Sequence, residues 1–293
     1  MEQLAQTLAN GVIVGAIYAL VAVGFSLVYG VMRLVNFAHG GVFTIGAFAT
    51  LFLVERLALP LAVCVVVVAC IGAVLGFAIE RFAYRPVRES PPIVTLITAL
   101  ALLAIIENAL AAIFGSDPIF LPQSVIQPVV FQGPFGIRIT NVQMVSVGAV
   151  LVLLAIVHAA VHWTQIGRNM RARAEDRLLA ATCGIDADRV TVFAFSLGGA
   201  LGTLGGLIVA FDLGCDPYMG TIVGLKAFAG CVLGSIRSIW GAVLGAFSVG
   251  IGENLVAGYI STEYKTALVL TALALALLFF PNGLFGQTPL RRA

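Results

Sequence analysis

Two acid–amide pairs inside long apolar stretches are the residues best placed to do chemistry. Glu107-Asn108 interrupts LLAIIENALAAIF, and Glu253-Asn254 interrupts SVGIGENLVAGY. If these stretches cross a membrane, an ionisable group within them is costly unless it faces a cavity or pairs with another group. The carboxylates could therefore carry protons, line a polar path or pair inside the protein, and the sequence leaves these three interpretations open.

The composition of the chain indicates a membrane protein. The chain has 293 residues, of which 60% are hydrophobic and 10% are charged, and its mean hydropathy is +1.07. A soluble domain is roughly a quarter charged, so this chain could not keep its surface wetted in water. The net charge is only +2, which gives no basic surface for nucleic acid. Five cysteines stand mostly in apolar runs without metal-ligand spacing and are expected to pack, so no metal site is predicted.

Runs of about 20 apolar residues mark the helices that would position these polar groups. We expect spans at about 8–30, 41–58, 61–80, 93–114, 142–163, 190–211, 239–258 and 264–281. A shorter piece at about 221–236 contains Lys226 and several glycines, and it could cross, re-enter or break. The predicted fold is a single all-α domain, 1–293, a polytopic membrane bundle of eight helices, or nine if this piece crosses.

The arginines indicate the orientation of the bundle. The segments around 81–88 and 164–189 are rich in arginine, whereas the loop 115–141 has only Arg138 together with Pro118, Pro122, Pro128 and Pro134. The positive-inside rule therefore makes 164–189 a cytoplasmic loop and 115–141 an extracytoplasmic one. Arg291 and Arg292 favour a cytoplasmic C-terminus, which requires nine crossings after an outside N-terminus.

A third polar interruption is GVMRLVNFAHGG, at residues 30–41. Glycines allow a helix to break, and broken helices of transporters line the substrate path. The glycine-rich stretch GCVLGSIRSIWGA, at 230–242, is a second interruption in the other half of the chain. The candidate pathway residues are Asn36, His39, Gly40, Gly41, Glu107, Asn108, Glu253 and Asn254. The alternative for 30–41 is a short polar hairpin that holds Arg33 at the cytoplasmic face.

Glycines at helical spacing predict close contacts between helices. The predicted packing positions are Gly198, Gly202, Gly206, Gly241 and Gly245. Contacts within the chain and contacts between subunits both fit this pattern.

The cytoplasmic segment GRNMRARAEDRLLAATCGIDADRV has an amphipathic pattern. Its apolar positions are Met170, Ala174, Leu178, Ala181 and Ile185. On one helix these side chains share a face, and Gly184 is placed to end that helix. Such a helix could lie on lipid headgroups or connect two spans, but its mixed charges and small alanines fit docking to a soluble protein better.

This segment resembles the cytoplasmic coupling segment of the branched-chain amino acid permease family of ATP-binding cassette importers. The resemblance lies in Met170-Arg171-Ala172, Ala180-Ala181 and Gly184-Ile185. VNFAHGGVFTIGAF is similar to the family's "NFAHG" signature, and GLKAFAGCVLGSIRSIWGAVLGA is similar to its later glycine-rich block. The three motifs occur in the family's order over almost the whole chain, which is similar to the H-type subunit. Trp240 stands where a proline is common in the family, so the exact substrate stays open.

The resemblance implies a multi-pass permease of the bacterial inner membrane that transports branched-chain or related hydrophobic amino acids by alternating access. The implied partners are membrane lipid, a second permease subunit (an M-type paralogue), two cytoplasmic ATPases that use ATP and Mg, and an extracytoplasmic substrate-binding protein. The coupling residues would be Met170, Arg171, Ala174, Leu178, Ala181, Gly184 and Ile185. Some members of the family carry amides, urea or aromatic compounds.

The sequence also bears on functions of other classes. The phosphate-binding pattern GxxxxGK[ST] needs a lysine after glycine, but Lys226 and Lys265 follow Leu225 and Tyr264. We therefore expect a chain that is not an enzyme and binds no cofactor of its own. Three scattered histidines disfavour an integral membrane enzyme. A stand-alone proton-coupled transporter that uses Glu107 and Glu253 remains an alternative.

Overall fold

The computed structural model describes residues 2–121, 130–133, 136–280 and 283–285. The helices are α1 (Glu2–Met32), α2 (Ala38–Glu55), α3 (Leu61–Ala78), α4 (Arg85–Val87), α5 (Pro92–Phe114), α6 (Asn141–Trp163), α7 (Gln165–Glu175), α8 (Arg177–Thr182), α9 (Ala187–Asp212), α10 (Met219–Gly234), α11 (Ile239–Tyr259) and α12 (Lys265–Phe279). A π-helical turn, Ile79–Tyr84, joins α3 to α4, and a 3₁₀ turn, Thr262–Tyr264, precedes α12. Strands β1 (Val130–Gln132) and β2 (Arg138–Thr140) pair antiparallel in the loop 115–141.

The prediction of an all-α polytopic bundle is confirmed. Among the described residues, eight helices are long and apolar enough to cross a membrane, and α10 is a shorter apolar helix. Helices α1, α2 and α9 are mostly buried and form the inner layer, whereas α5 and α12 are mostly exposed. Inner helices of this kind are apolar on all sides because they contact other helices all round.

The ambiguous segment 221–236 forms most of α10, which runs through the bundle. Near its start, Thr221 contacts Glu107, about two turns before the outer end of α5. At its end, Gly234 packs against Gly241 at the start of α11. The end of α11 lies beside the start of α1, since Gln3 donates a hydrogen bond to the Gly258 carbonyl. Helix α10 thus runs from beside α5 towards the start of α11, and whether it crosses the membrane stays a prediction; Arg291 and Arg292 lie outside the described residues.

Helix α2 begins inside the bundle and not at its cytoplasmic edge. Arg33 has φ 54, a left-handed conformation that turns the chain back after α1. The chain then runs back beside α1, so the Phe37 ring lies 6.2 Å from the Phe25 ring. His39 reaches Gly24, about two turns before the end of α1. We call residues 33–37 the α1–α2 crossing. Arg33 itself is exposed, and its position at the cytoplasmic face stays a prediction.

Helices α2 and α10 start beside each other in the interior. A Cβ atom built on Gly40 would lie 2.4 Å from the carbonyl oxygen of Gly220, and one built on Gly220 would lie equally close to that of Gly40. Contacts this short exclude any side chain at either position. The "HGG" motif therefore allows two helix starts to meet inside the bundle.

The predicted packing glycines lie at contacts between elements of this chain. A Cβ on Gly206 would lie 2.0 Å from the Phe43 carbonyl oxygen, and one on Gly245 would lie 2.0 Å from that of Gly230. Gly202 faces the His39 ring, and Gly241 faces Ser235. A Cβ on Gly198 would meet Gly24 at 3.5 Å, an ordinary contact.

Replacing Gly206 with valine should weaken the packing of α9 on α2. The added side chain would overlap the Phe43 carbonyl, and overpacking costs about 1–3 kcal/mol or more. We expect a lower melting temperature of the purified protein in detergent. Gly148→Val is the matched control, because a Cβ on Gly148 meets nothing within 4 Å. Equal losses for the two variants would contradict this packing account.

Candidate functional site

The predicted coupling segment is two short helices, α7 and α8, and not one. Asp176 lies between them in an extended conformation, and its carboxylate accepts hydrogen bonds from the backbone amides of Leu178 at 2.9 Å and Leu179 at 3.1 Å. An aspartate that caps a helix in this way starts a new helix. The prediction of one continuous apolar face over 170–185 is therefore wrong, because α7 ends at Glu175 and Asp176 starts a second helix, α8.

The break changes which side chains face the solvent. Met170 is buried, and Ala174 and Ile185 are half-buried. Leu178 is 79% exposed and Leu179 is 60% exposed, and Ala181 and Gly184 are also exposed. We call Leu178, Leu179 and Ala181 the α8 tip. Leu179 is an exposed residue beyond the predicted coupling residues, and an aspartate shortly before two leucines is the local signal of a helix start that indicates it.

Arginine contacts hold α7 and α8 against the rest of the chain. Arg171 donates a hydrogen bond to the Val161 carbonyl at the end of α6. Arg177 donates to the Met32 carbonyl, and Arg33 donates to the Ala174 carbonyl at 3.3 Å. The first half and the middle of the loop 164–189 are thus attached to α6 and α1, and Arg177 is a contact residue beyond the predicted coupling residues.

Further ion pairs tie the end of the same loop to α4 and to the residue that follows it. Asp188 accepts from Arg85 at 2.7 Å and from Arg88 at 2.6 Å, and Arg88 also contacts the buried Glu80 at 2.6 Å. Burial lowers the pKa of Arg173, and the neighbouring Arg177 and Arg88 guanidiniums lower it further. The cytoplasmic end of the bundle is therefore crowded with positive charge.

Asn36 and His39 lie inside the chain. The Tyr84 hydroxyl donates to Asn36 Oδ1 at 2.7 Å, across the interface between the α1–α2 crossing and the π-helical turn. The His39 imidazole is 2% exposed and lies between Gly24 and Gly202. Its Nε2 atom has no hydrogen-bond partner among the described residues.

Glu107 holds the start of α10. Its carboxylate accepts from the Thr221 backbone amide at 2.8 Å and from the Thr221 hydroxyl at 2.8 Å and 2.9 Å. A carboxylate at a helix N-terminus satisfies otherwise unpaired amides and favours the positive end of the helix dipole. The neighbouring Asn108 is exposed and donates to the Ala104 carbonyl of its own helix.

Glu253 is the centre of a buried polar cluster. Its carboxylate contacts Lys226 Nζ at 2.5 Å and accepts from the Tyr18 hydroxyl at 2.9 Å. The cluster joins α1, α10 and α11. Lys226 and Tyr18 were not among the predicted site residues, because a sequence does not show which residue pairs with a buried acid. Asn254 is half-buried and donates to the Gly250 carbonyl.

Among the described residues, the candidate pathway residues lie at separate helix contacts. Asn36, His39, Glu107 and Glu253 are each at most 6% exposed, and Gly40 and Gly41 are buried at helix contacts. The acids meet partners within the chain, so structural pairing, one of the three initial interpretations, describes their observed contacts. Their role in a pathway stays a prediction.

Removing Lys226 should destabilise the bundle more than removing the whole ion pair. Lys226→Met leaves the Glu253 carboxylate buried and without its cation, which costs about 3–5 kcal/mol. We expect a markedly lower melting temperature in detergent for this variant. Lys226→Met combined with Glu253→Gln should recover much of the loss, because no unpaired charge remains. A double variant that melts no higher than Lys226→Met would contradict this account.

These features define a class of protein: a multi-pass α-helical membrane protein with an exposed pair of short helices at the face that the arginines mark as cytoplasmic. Residues 7–279 match the model of the family described as "Branched-chain amino acid transport system / permease component". The chain belongs to this family.

Relatives with curated names match over nearly their full length. The chain is 34% identical to the "High-affinity branched-chain amino acid transport system permease protein LivH" of Salmonella typhimurium, over 96% of this chain and 95% of the relative. It is 31% identical to the protein of the same description, BraD, of Pseudomonas aeruginosa, with the same coverage. A "Probable branched-chain amino acid transport permease protein LivH" of Methanocaldococcus jannaschii is 27% identical over 95% of this chain.

Proposed function

We propose that this chain is a transmembrane subunit of an ATP-binding cassette importer and moves branched-chain or related hydrophobic amino acids across the bacterial inner membrane. Family membership supports the permease role, and the names of the relatives support the substrate class. The α8 tip is the structural observation that carries the proposal of an external motor. It presents two leucines to water at the cytoplasmic side, where docking to a soluble partner would bury them.

The proposed partners follow from this role. Two cytoplasmic ATPases that use ATP and Mg would drive the complex, one of them docked on the α8 tip of this chain. A second permease subunit would complete the transmembrane part, and an extracytoplasmic protein would deliver the substrate. Alternating access would follow from ATP-driven movement of α7 and α8 relative to the bundle.

The contacts of the buried acids favour this proposal over proton-coupled transport by the chain alone. A proton carrier needs a carboxylate that can give up its partners and meet water. Glu253 is paired with Lys226 and Tyr18, and Glu107 is committed to the start of α10. These contacts within the chain explain why both carboxylates can lie in apolar helices.

Leu179→Arg should weaken binding of the ATPase subunits. The change places a charge in the apolar α8 tip, and losing one buried apolar anchor costs about 2 kcal/mol, or roughly 30-fold in Kd. The measurement is binding of ATP-binding cassette ATPases from the same genome to the purified chain, followed by ATP-driven leucine uptake in proteoliposomes.

Leu57→Arg is the matched control, because Leu57 is 52% exposed and lies between α2 and α3, at the opposite end of the protein. We expect this variant to bind the ATPases like the unmodified chain. If Leu179→Arg also binds them normally and supports uptake, the α8 tip is not the docking surface.

A further inference from the structure

Two reciprocal arginine contacts join the end of α1 to the coupling segment. In each, an arginine beside one helix donates a hydrogen bond to a carbonyl at the end of the other helix. Arg33 follows α1 directly, and its guanidinium donates to the Ala174 carbonyl in the last turn of α7. Arg177 begins α8, just after α7, and donates to the Met32 carbonyl at the end of α1. We call this reciprocal pair of contacts the arginine clasp.

The clasp is favourable at both helix ends for the same physical reason. The last carbonyl groups of a helix have no partner within it, and the helix dipole makes that end negative. A guanidinium satisfies the carbonyl and complements the dipole, and its several donors keep a fixed geometry. Helices α1 and α7 therefore end against each other, although they lie far apart in sequence.

The charges around the clasp make it sensitive to the position of α7 and α8. Burial lowers the pKa of Arg177, and the nearby Arg33 and Arg88 lower it further. The two guanidiniums repel each other. The hydrogen bond that each donates to a backbone carbonyl opposes this repulsion. An open surface depression beside them is lined by Arg33, Glu175, Asp176, Arg177 and Leu178.

The clasp continues into the interior of the bundle through the α1–α2 crossing. A few residues beyond Arg33, Asn36 accepts the hydrogen bond from Tyr84, which lies in the π-helical turn after α3. His39 then fills the space between Gly24 of α1 and Gly202 of α9. A displacement of α7 and α8 would therefore reach α1, α2, α9 and the π-helical turn after α3 through hydrogen-bonded or tightly packed groups.

We infer that Arg33 and Arg177 are positioning residues that transmit movement of the coupling segment to the α1–α2 crossing, and so link ATP hydrolysis to amino acid movement. This inference rests on the proposed function. The clasp consists of the Arg33 and Arg177 guanidiniums and the Ala174 and Met32 carbonyls; Arg177 directly precedes the α8 tip but is not one of its exposed apolar side chains. Loss of the clasp should therefore leave ATPase binding intact and reduce transport for each ATP hydrolysed.

The test uses the complete transporter in proteoliposomes, with leucine uptake and ATP hydrolysis measured on the same samples. In Arg33→Gln and Arg177→Gln we expect ATPase association and ATP hydrolysis close to those of the unmodified complex. Uptake per ATP should fall roughly fivefold or more, the lower range of energetic coupling between sites. Arg33→Lys should recover part of the uptake, because an ammonium can still donate to the Ala174 carbonyl.

Arg189→Gln is the matched control, since the Arg189 side chain is 84% exposed and pairs only with Asp186 one turn away, among the described residues. It should keep normal uptake per ATP. The inference is overturned if both glutamine variants keep normal uptake per ATP, or if uptake and hydrolysis fall together with the amount of folded complex. Failure of the unmodified complex to import leucine with ATP would instead refute the proposed function.

Discussion

Polar groups in the interior of a bilayer must find their partners within protein, because lipid chains offer no hydrogen bonds. This constraint explains why α2 and α10 can begin inside the bundle. The start of α10 is held by the Glu107 carboxylate, and the start of α2 packs against Gly220 at a distance that permits no side chain. The Lys226–Glu253 pair obeys the same constraint, because each charge removes the cost of burying the other.

Helices α7 and α8 are attached to the bundle differently from the way the inner helices contact one another. The interior contacts of α1, α2 and α9 are backbone contacts at glycines, which leave little freedom for these helices to slide. Helices α7 and α8, by contrast, are short and largely exposed, and arginine contacts to backbone carbonyls attach them to the bundle. A soluble motor that binds the α8 tip would therefore act on a rigid bundle through a few polar contacts.

Local properties of the sequence predict much of this fold. Hydropathy is sufficient to locate the eight long helices, and the glycine spacing identifies Gly206 and Gly245 as packing positions, because both signals depend on neighbouring residues along one helix. The break at Asp176 was also encoded locally, as a helix cap, but the apolar spacing from Met170 to Ile185 suggested a longer helix.

Tertiary partners account for what could not be predicted. The sequence shows that Glu107 and Glu253 are ionisable groups in apolar helices, where burial without a partner is unfavourable. Their partners, Thr221 and Lys226, lie in another helix, and the tertiary fold determines which residues meet. The same holds for Arg33 and Arg177, whose acceptors are backbone carbonyls. A backbone carbonyl has no sequence signature, so such contacts become visible only in three dimensions.

The central claim is that an external motor drives this chain. It is tested most directly by measuring which energy source, ATP or a pH gradient, drives transport. Labelled leucine uptake would be followed in proteoliposomes that hold either the chain alone or the chain with its proposed partners, under a pH gradient or with ATP. We expect accumulation only with the partners and ATP, and no effect of a protonophore. Accumulation of leucine by the chain alone under the pH gradient would contradict the account.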